Sequence, residues 1–328
     1  MRKHRKKSYT TVPYPLIIII AAVMLVTATV SGVVCGSEFY KWYNTAFNLS
    51  ETVDGDVIEG DVVVGDRINV LLMGVDKSTL LSDTIMLVSI DTKDKKVAIM
   101  SILRDTRIVI GGTSSYKINS LIGTSNKEQA TIEAVKSLTG GVPINYYVTV
   151  QTQAFRDVID ILGGVEYDVP HVPNKFSNGR RGMYYDDPYQ DLHIALPEGL
   201  QVLDGEAAEG LVRFRYGYAN ADEERVKVQQ DFIKELVKQK LNIKYVNKVP
   251  EMYDTAKENI RTNMSPATAF GIAKAMVDMD KTDISTFSMP GSAQYINNVS
   301  YFIADTAETR EIIEEYFMDS EDDEVESQ

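Results

Sequence analysis

The chain lacks most of what the common catalytic chemistries require. Cys35 is the only cysteine among 328 residues, so no internal disulfide can form. The three histidines, His4, His171 and His193, have no HExxH-like spacing, which speaks against a zinc site. There is no Gly-x-Ser-x-Gly elbow, Walker A loop or glycine-rich dinucleotide fingerprint, which argues against a Ser-His-Asp hydrolase, a P-loop enzyme and a dinucleotide enzyme. Positive charge is scarce as well: 34 Lys and Arg face 47 Asp and Glu, a net charge of −13. Nucleic acid needs a basic stripe, so no nucleic-acid partner is expected. Any anionic ligand must be held by local arginines working against the field of the whole chain.

What is present starts at the N-terminus. Arg2, Lys3, Arg5, Lys6 and Lys7 precede the first acid, Glu38. From Leu16 to Val34 the chain is apolar, relieved only by Thr27, Thr29, Ser31 and Gly32. About 20 such residues, rising 1.5 Å each, cross a hydrocarbon core of roughly 30 Å. Cations on the short side hold that end in the cytoplasm. A cleaved signal peptide would have a shorter apolar core and an Ala-x-Ala-like site, which Thr27-Ala28-Thr29 does not supply. The expected layout is a cytoplasmic basic tail over 1–15, a transmembrane anchor over 16–35 and an extracellular stalk over 36–66. A folded domain over 67–317 and an acidic tail over 318–328 complete it. Without the five N-terminal cations, 29 of the 34 remain against 47 acids, a net of −18 outside the membrane. A large exported domain without disulfides fits a Gram-positive-type cell surface.

Within 67–317, short continuous apolar runs read as strands buried on both faces: Ile68–Met73, Thr84–Ile90, Lys96–Leu103, Tyr146–Val150 and Ile284–Met289. Val165–Val169 alternates like an edge strand. Helical spacing marks Glu128–Leu138, Gln153–Leu162, Asp204–Val212, Asp222–Leu241, Ala267–Val277 and Asp305–Phe317. Gly163-Gly164 reads as a helix stop, and Ser265-Pro266 as a cap followed by a first-turn proline. The stretch 170–197 is polar and reads as a loop. Alternating strands and helices predict a single α/β domain, a sheet with helices packed on it.

Charge gathers where buried strands end, the place where open α/β sheets collect ligands. Asp76 follows the first strand, Asp83 stands in Ser82-Asp83-Thr84 ahead of the second, and Arg104-Asp105 follows the third. Taken singly, these fit turn caps and surface charges as well as a site. Arg213-Phe214-Arg215 has period-two arginines, which an extended segment would turn to one face. Asp222, Arg225 and Gln229 share a stripe of the next helix. Paired guanidinium groups in an acidic protein suit bidentate phosphate binding.

In order along the chain stand Gly74-Val75-Asp76, Ser82-Asp83-Thr84-Ile85-Met86-Leu87, Ser101-Ile102-Leu103-Arg104-Asp105-Thr106 and Lys117-Ile118-Asn119. Leu162-Gly163-Gly164-Val165, Arg213-Phe214-Arg215-Tyr216 and Asp222…Arg225…Gln229 follow. This series resembles the LytR-CpsA-Psr family, over roughly Arg67 to Leu241 and more loosely to Phe317. The resemblance implies an α/β/α domain with a central mixed β-sheet behind one N-terminal transmembrane helix. It also implies a single-pass protein of the cell membrane. Its activity would be transfer of a teichoic acid or capsular-type polysaccharide from an undecaprenyl-pyrophosphate carrier to peptidoglycan. Asp76 and Asp83 would bind Mg²⁺ or Mn²⁺. Arg104, Lys117, Arg213, Arg215, Arg225 and Gln229 would hold the pyrophosphate. Asp222, with Arg104, Arg213 and Arg215, would serve catalysis. Two positions depart from the family pattern: Leu81 stands where arginine usually precedes Ser-Asp-Thr, and Glu224 where glycine usually precedes the last arginine. Phe155, Val158, Ile159 and Leu162 have the spacing that more often marks plain core than the groove a prenyl chain would need. Hydrolysis of the lipid pyrophosphate, and a non-catalytic lipid-binding or regulatory role at the cell surface, are the alternatives.

Overall fold

The apolar runs form the middle of one sheet. The computed structural model describes residues 67–75, 81–110, 114–124, 127–187, 192–218, 221–240, 245, 255–265, 268–269, 272, 275–276 and 283–319, with only the backbone at 221 and 222. The basic tail, anchor and stalk expected over 1–66 lie outside these residues, and among them no helix is long and apolar enough to cross a membrane.

Three strands, β1 (Arg67–Val75), β2 (Ser82–Asp91) and β3 (Lys96–Ile102), form an antiparallel meander. The turn Thr92–Lys95 joins the last two, with Lys95 at φ 55°. Next come a short hairpin, β4 (Arg107–Ile110) and β5 (Ser114–Lys117), and a 3-10 turn, Ile118–Gly123. Helix α1 (Lys127–Thr139) leads to β6 (Tyr146–Gln151), which pairs parallel with β1. Helix α2 (Thr152–Ile161) ends at Gly163 and Gly164, both at φ 76°, a conformation glycine adopts freely.

Beyond it lie β7 (Val165–Val169), β8 (Gly182–Asp187), β9 (Leu192–Pro197) and β10 (Gly199–Leu203). Helices α3 (Gly205–Arg213) and α4 (Ala221–Lys240) follow. The chain finishes with β11 (Ile260–Thr262), β12 (Ile284–Ser288), β13 (Gly291–Ile296), β14 (Val299–Ala304) and helix α5 (Thr306–Tyr316).

The central sheet has the order β11-β6-β1-β2-β3-β12 and is mixed, since β6 and β12 run parallel to their neighbours β1 and β3. Its strand alternation feeds two cores. Ile68, Val70, Leu72, Met86 and Val88 point to one face, against Phe155 and Val158 of α2, Leu211 of α3 and Phe232 of α4. Leu71, Met73, Ile85, Leu87 and Met100 point to the other, against Ile118, Val135 of α1, Ile313 of α5 and Phe317. Each fully buried side chain of this kind contributes about 1.5–3 kcal/mol. The result is a three-layer α/β/α arrangement.

One expectation changes here. The stretch 170–197 contains the β8–β9 hairpin, in which Leu192, Ile194 and Leu196 alternate inward. Strand β7 pairs with β10 in a separate two-stranded sheet and is not an edge of the main one. Phe155, Val158, Ile159 and Leu162 are at most 1% exposed and pack as core, with Phe155 set 6.2 Å from Phe232, centroid to centroid. The cap at Ser265 forms as its sequence suggests, its hydroxyl accepting Thr268 N–H at 3.0 Å.

Candidate functional site

At one end of the meander the β1–β2 register slips. Gly74 faces Thr84, but Val75 faces Ser82, so Asp83 is the extra residue of a bulge. A bulge bends its strand and re-aims a side chain. The Asp83 carboxylate accepts a hydrogen bond from Arg104 Nη1 at 2.8 Å, their side chains 14% and 24% exposed. Arg104 occupies the turn after β3, and that turn is tied down. Its carbonyl accepts Asn119 N–H at 3.1 Å, and Thr106 N–H bonds Leu103 O at 2.9 Å. The Ser82 hydroxyl donates to Asn119 O at 3.4 Å, which joins the bulge to the same 3-10 turn. Lys117, just ahead of that turn, pairs with Asp105 at 3.1 Å.

Helix α4 closes the other side. Arg225 and Gln229, one turn apart, are 5% and 4% exposed. Gln229 donates to Val212 O at 3.0 Å, while Gln230 donates to Ser101 Oγ at 3.0 Å and to Phe287 O at 2.9 Å. Those bonds dock the helix on the ends of α3, β3 and β12. The cleft between them is lined by Asp83, Thr84, Arg104, Asp105, Arg225 and Gln229, with Ser101 and apolar neighbours. Thr84 is 6% exposed, and its hydroxyl has no hydrogen-bond partner. A buried hydroxyl left unpaired costs free energy unless a guest satisfies it.

The expected site residues therefore divide. Asp83, Arg104, Arg225 and Gln229 meet in one cleft, and Lys117 reaches it through Asp105. Asp76 lies outside the described residues, and of Asp222 only the helical backbone is described. The two arginines of Arg213-Phe214-Arg215 are not side by side on an extended segment. Arg213 ends α3 and is buried at 5% exposure, whereas Arg215 beyond the helix is exposed. Arg213 donates to Glu209 Oε1 at 2.6 Å, and Arg156 holds the other oxygen of the same carboxylate. Helical geometry puts residues 209 and 213 one turn apart, a pairing visible in the sequence, but the Arg156 contact spans 53 residues and left no sequence signal. Thr84, Ser101 and Asp105 also line the cleft, and no local pattern marks them for it. Of the two departures, Leu81 is half-buried just before β2, and Glu224 is half-buried with its charge acting on Tyr218.

A sequence model of the LytR_cpsA_psr family matches residues 37–317. The chain belongs to this family. It is 27% identical over 312 residues to the polyisoprenyl-teichoic acid–peptidoglycan teichoic acid transferase TagV of Bacillus subtilis, covering 90% of this chain and 77% of that protein. The TagU transferase of the same organism is 26% identical over 325 residues, with 96% and 98% covered. In structure the chain is similar to the crystal structure of B. subtilis TagV at a TM-score of 0.63 and 26% identity, over 77% of this chain and 97% of that one. TagT bound to LI-WTA shares the fold at a TM-score of 0.63 and 24% identity, with 79% and 93% covered.

Proposed function

We propose that this chain is a membrane-anchored phosphotransferase that moves a glycopolymer from an undecaprenyl-pyrophosphate carrier to peptidoglycan. The observation that carries the reading is the cleft. Three separate elements bring Asp83, Arg104, Arg225, Gln229 and an unsatisfied Thr84 hydroxyl together in an otherwise acidic protein. The relatives named teichoic acid transferases supply the substrate class.

Pyrophosphate chemistry asks mainly for positioning and for cations that offset developing charge. An acceptor sugar hydroxyl would attack the phosphorus that bears the glycopolymer. The new P–O bond forms as the P–O–P bridge breaks, and polyprenyl phosphate leaves with the bridging oxygen. Arg104 and Arg225 would stabilise that leaving phosphate, Lys117, Arg213 and Arg215 would extend the positive field, and Gln229 would orient the head group. Asp222 would take the proton of the attacking hydroxyl. Asp83, with Asp76, suits Mg²⁺ or Mn²⁺, because such ions take one or two carboxylates alongside substrate phosphates rather than an all-protein cage. When bound, the ion would offset phosphate charge. In this reading residues 16–35 anchor the domain outside the cell membrane. A stalk of about 30 residues has a root-mean-square reach near 30 Å as a flexible chain, which keeps the cleft near the outer leaflet.

The test is transfer of radiolabelled glycopolymer from a lipid-pyrophosphate donor to wall glycan by the full chain. Asp83→Ala and Arg225→Ala are each expected to lower kcat by about 10²-fold or more, the scale of losing one charge-stabilising group. Undiminished transfer in the double variant would overturn the site. Release of glycopolymer phosphate without acceptor, at the rate of transfer, would replace the ligase with a hydrolase. Chelation of divalent cations is expected to stop transfer and added Mg²⁺ or Mn²⁺ to restore it; transfer indifferent to the chelator would remove the metal assignment alone.

A further inference from the structure

Just past Arg213 the chain builds a second surface, which shares only Arg215 with the proposed head-group site. Phe176, Tyr185 and Tyr216 pack ring on ring: Phe176 meets Tyr185 edge-on at 5.1 Å and Tyr216 at 5.0 Å, while Tyr185 and Tyr216 stack at 5.4 Å. A purely structural aromatic cluster would be covered. Here Tyr216 keeps 36% of its surface, and Phe176 and Tyr185 are only half-buried.

The platform is held rigidly. The Asn174 side chain accepts Phe176 N–H at 2.8 Å and donates to Val172 O at 3.2 Å and Tyr216 O at 3.5 Å, tying the 174–177 turn to the segment after α3. Gly217 sits at φ 101°, so close to Pro173 and Asn174 that a Cβ there would come within 3.1 Å of both. A surface fixed in advance loses little freedom on binding.

The charges beside the rings are cationic, against the sign of the whole chain. Lys175 Nζ lies 5.1 Å from the Phe176 centroid and 5.5 Å from that of Tyr216. Arg215 is exposed, and its charge acts on the Tyr185 phenol. Of the nearby acids, Glu198 pairs with Arg181 and Asp186 with His193, while Asp187 accepts the Tyr185 hydroxyl at 3.1 Å and sets one carboxylate at the edge of the platform.

We propose that Lys175, Phe176, Tyr185, Arg215 and Tyr216 form a binding surface for the sugar–phosphate chain of the glycopolymer, outside the cleft. The exposed ring faces, negative at their centres, receive the C–H faces of sugar rings. The ammonium and guanidinium groups receive the phosphates between them. The reach is right. Gln229, inside the cleft, bonds Val212 O, and Tyr216 follows only four residues later, within about 14 Å at full extension. A chain whose terminal phosphate lies in the cleft would cross the platform within its first repeats. An anionic membrane surface is the competing guest, but the rings are locked against one another and not free to insert among lipids.

This inference takes the identity of its ligand from the proposed function, and its test is separate. The full chain in detergent is titrated calorimetrically with a lipid-free, N-acetylhexosamine-bearing poly(glycerol phosphate) oligomer. Tyr216→Ala with Lys175→Ala is expected to weaken binding at least tenfold, and Tyr216→Phe to stay within threefold of the parent. Lys175→Glu, at an exposed position, should weaken binding with no effect on folding. Unchanged affinity in the double variant overturns the proposal. So does binding abolished by Arg225→Ala but indifferent to Tyr216 and Lys175, which assigns the oligomer to the cleft. Loss of binding only to phosphatidylglycerol vesicles, and not to the oligomer, makes the surface a membrane contact. No transfer is needed for this titration: a chain that transfers but does not bind the oligomer loses only this inference. One that binds but does not transfer loses only the ligase reading.

Discussion

Glu209 shows how much a single side chain can organise. It is 1% exposed, lies on α3 and holds Arg156 of α2 with one carboxylate oxygen and Arg213 with the other. Two guanidinium groups therefore share one buried negative charge, and Arg213 itself is 5% exposed. Glu209→Ala removes that charge while the arginines stay in place, so the variant should lose about 3 kcal/mol or more of stability in urea unfolding. A loss within experimental error of zero would mean that the pair adds nothing to the core. Arg213 was visible as a candidate from its motif. Its partner on α2 was not, because nothing local relates residues 156 and 209. Thr84 is a similar case: a threonine in a strand is ordinary, and only its place in the lining of the cleft makes it part of a site.

Among the elements, α3 depends on a close approach to α2. Asp204 caps α3 by accepting Ala207 N–H at 2.9 Å, and Asp160 on α2 accepts Gly205 N–H at 2.7 Å. A Cβ on Gly205 would meet the Arg156 backbone at 2.4–2.7 Å. Gly205→Ala should therefore push the helices apart and cost about 1–3 kcal/mol, the usual scale of overpacking, despite alanine's better helix propensity. A chain as stable as the parent, or more stable, would show that the helices separate without loss. The C-terminal helix is anchored differently: Arg67 donates to Tyr316 O and Asn69 to Phe317 O, both at 2.9 Å, pinning α5 to the start of β1. Five of the six expected helices and the buried strands of the main sheet stand within a few residues of where periodicity puts them, since long apolar runs and caps are local signals; the helix expected over 267–277 lies largely outside the described residues. The hairpins β4–β5, β8–β9 and β13–β14 carry no such local signal. Their strands are four to six residues long, and pairing partners decide such strands more than their own residues do.

For the whole molecule, two buried phenols link folding to pH. Burial, then the charges of Asp231, Glu235 and Asp168, pushes the Tyr167 hydroxyl well above the ordinary tyrosine value. Burial, then Tyr167 and Glu224, does the same to Tyr218, whose hydroxyl has no hydrogen-bond partner. Both groups hold their protons more tightly folded than unfolded. Their contribution is complete below about pH 10 and is lost as pH rises toward the folded values, by up to about 1.4 kcal/mol per pH unit for each group. Urea midpoints should be level between pH 7 and 9 and fall from pH 10 to 11, and Tyr218→Phe should make that fall shallower. Equal slopes in parent and variant would exclude Tyr218 from the effect. The acidic balance of the chain adds self-repulsion in the same alkaline range, which makes the comparison with the variant the decisive one.

The sequence by itself determined the fold class, the buried strands of the central sheet, the cap at Ser265 and the family motifs in their order. These follow from apolar period, from residue types that satisfy helix ends and from short contiguous strings. The tertiary structure decided what those strings do to one another. A one-residue bulge turned Asp83 toward Arg104, 21 positions away, and α4 brought Arg225 and Gln229 against the same strand ends. Helix α3 buried Arg213 and left Arg215 exposed, though the two stand two residues apart. The physical reason is common to all of these: register, bulges and helix docking are settled by long-range packing and pairing, which no local pattern of residues encodes.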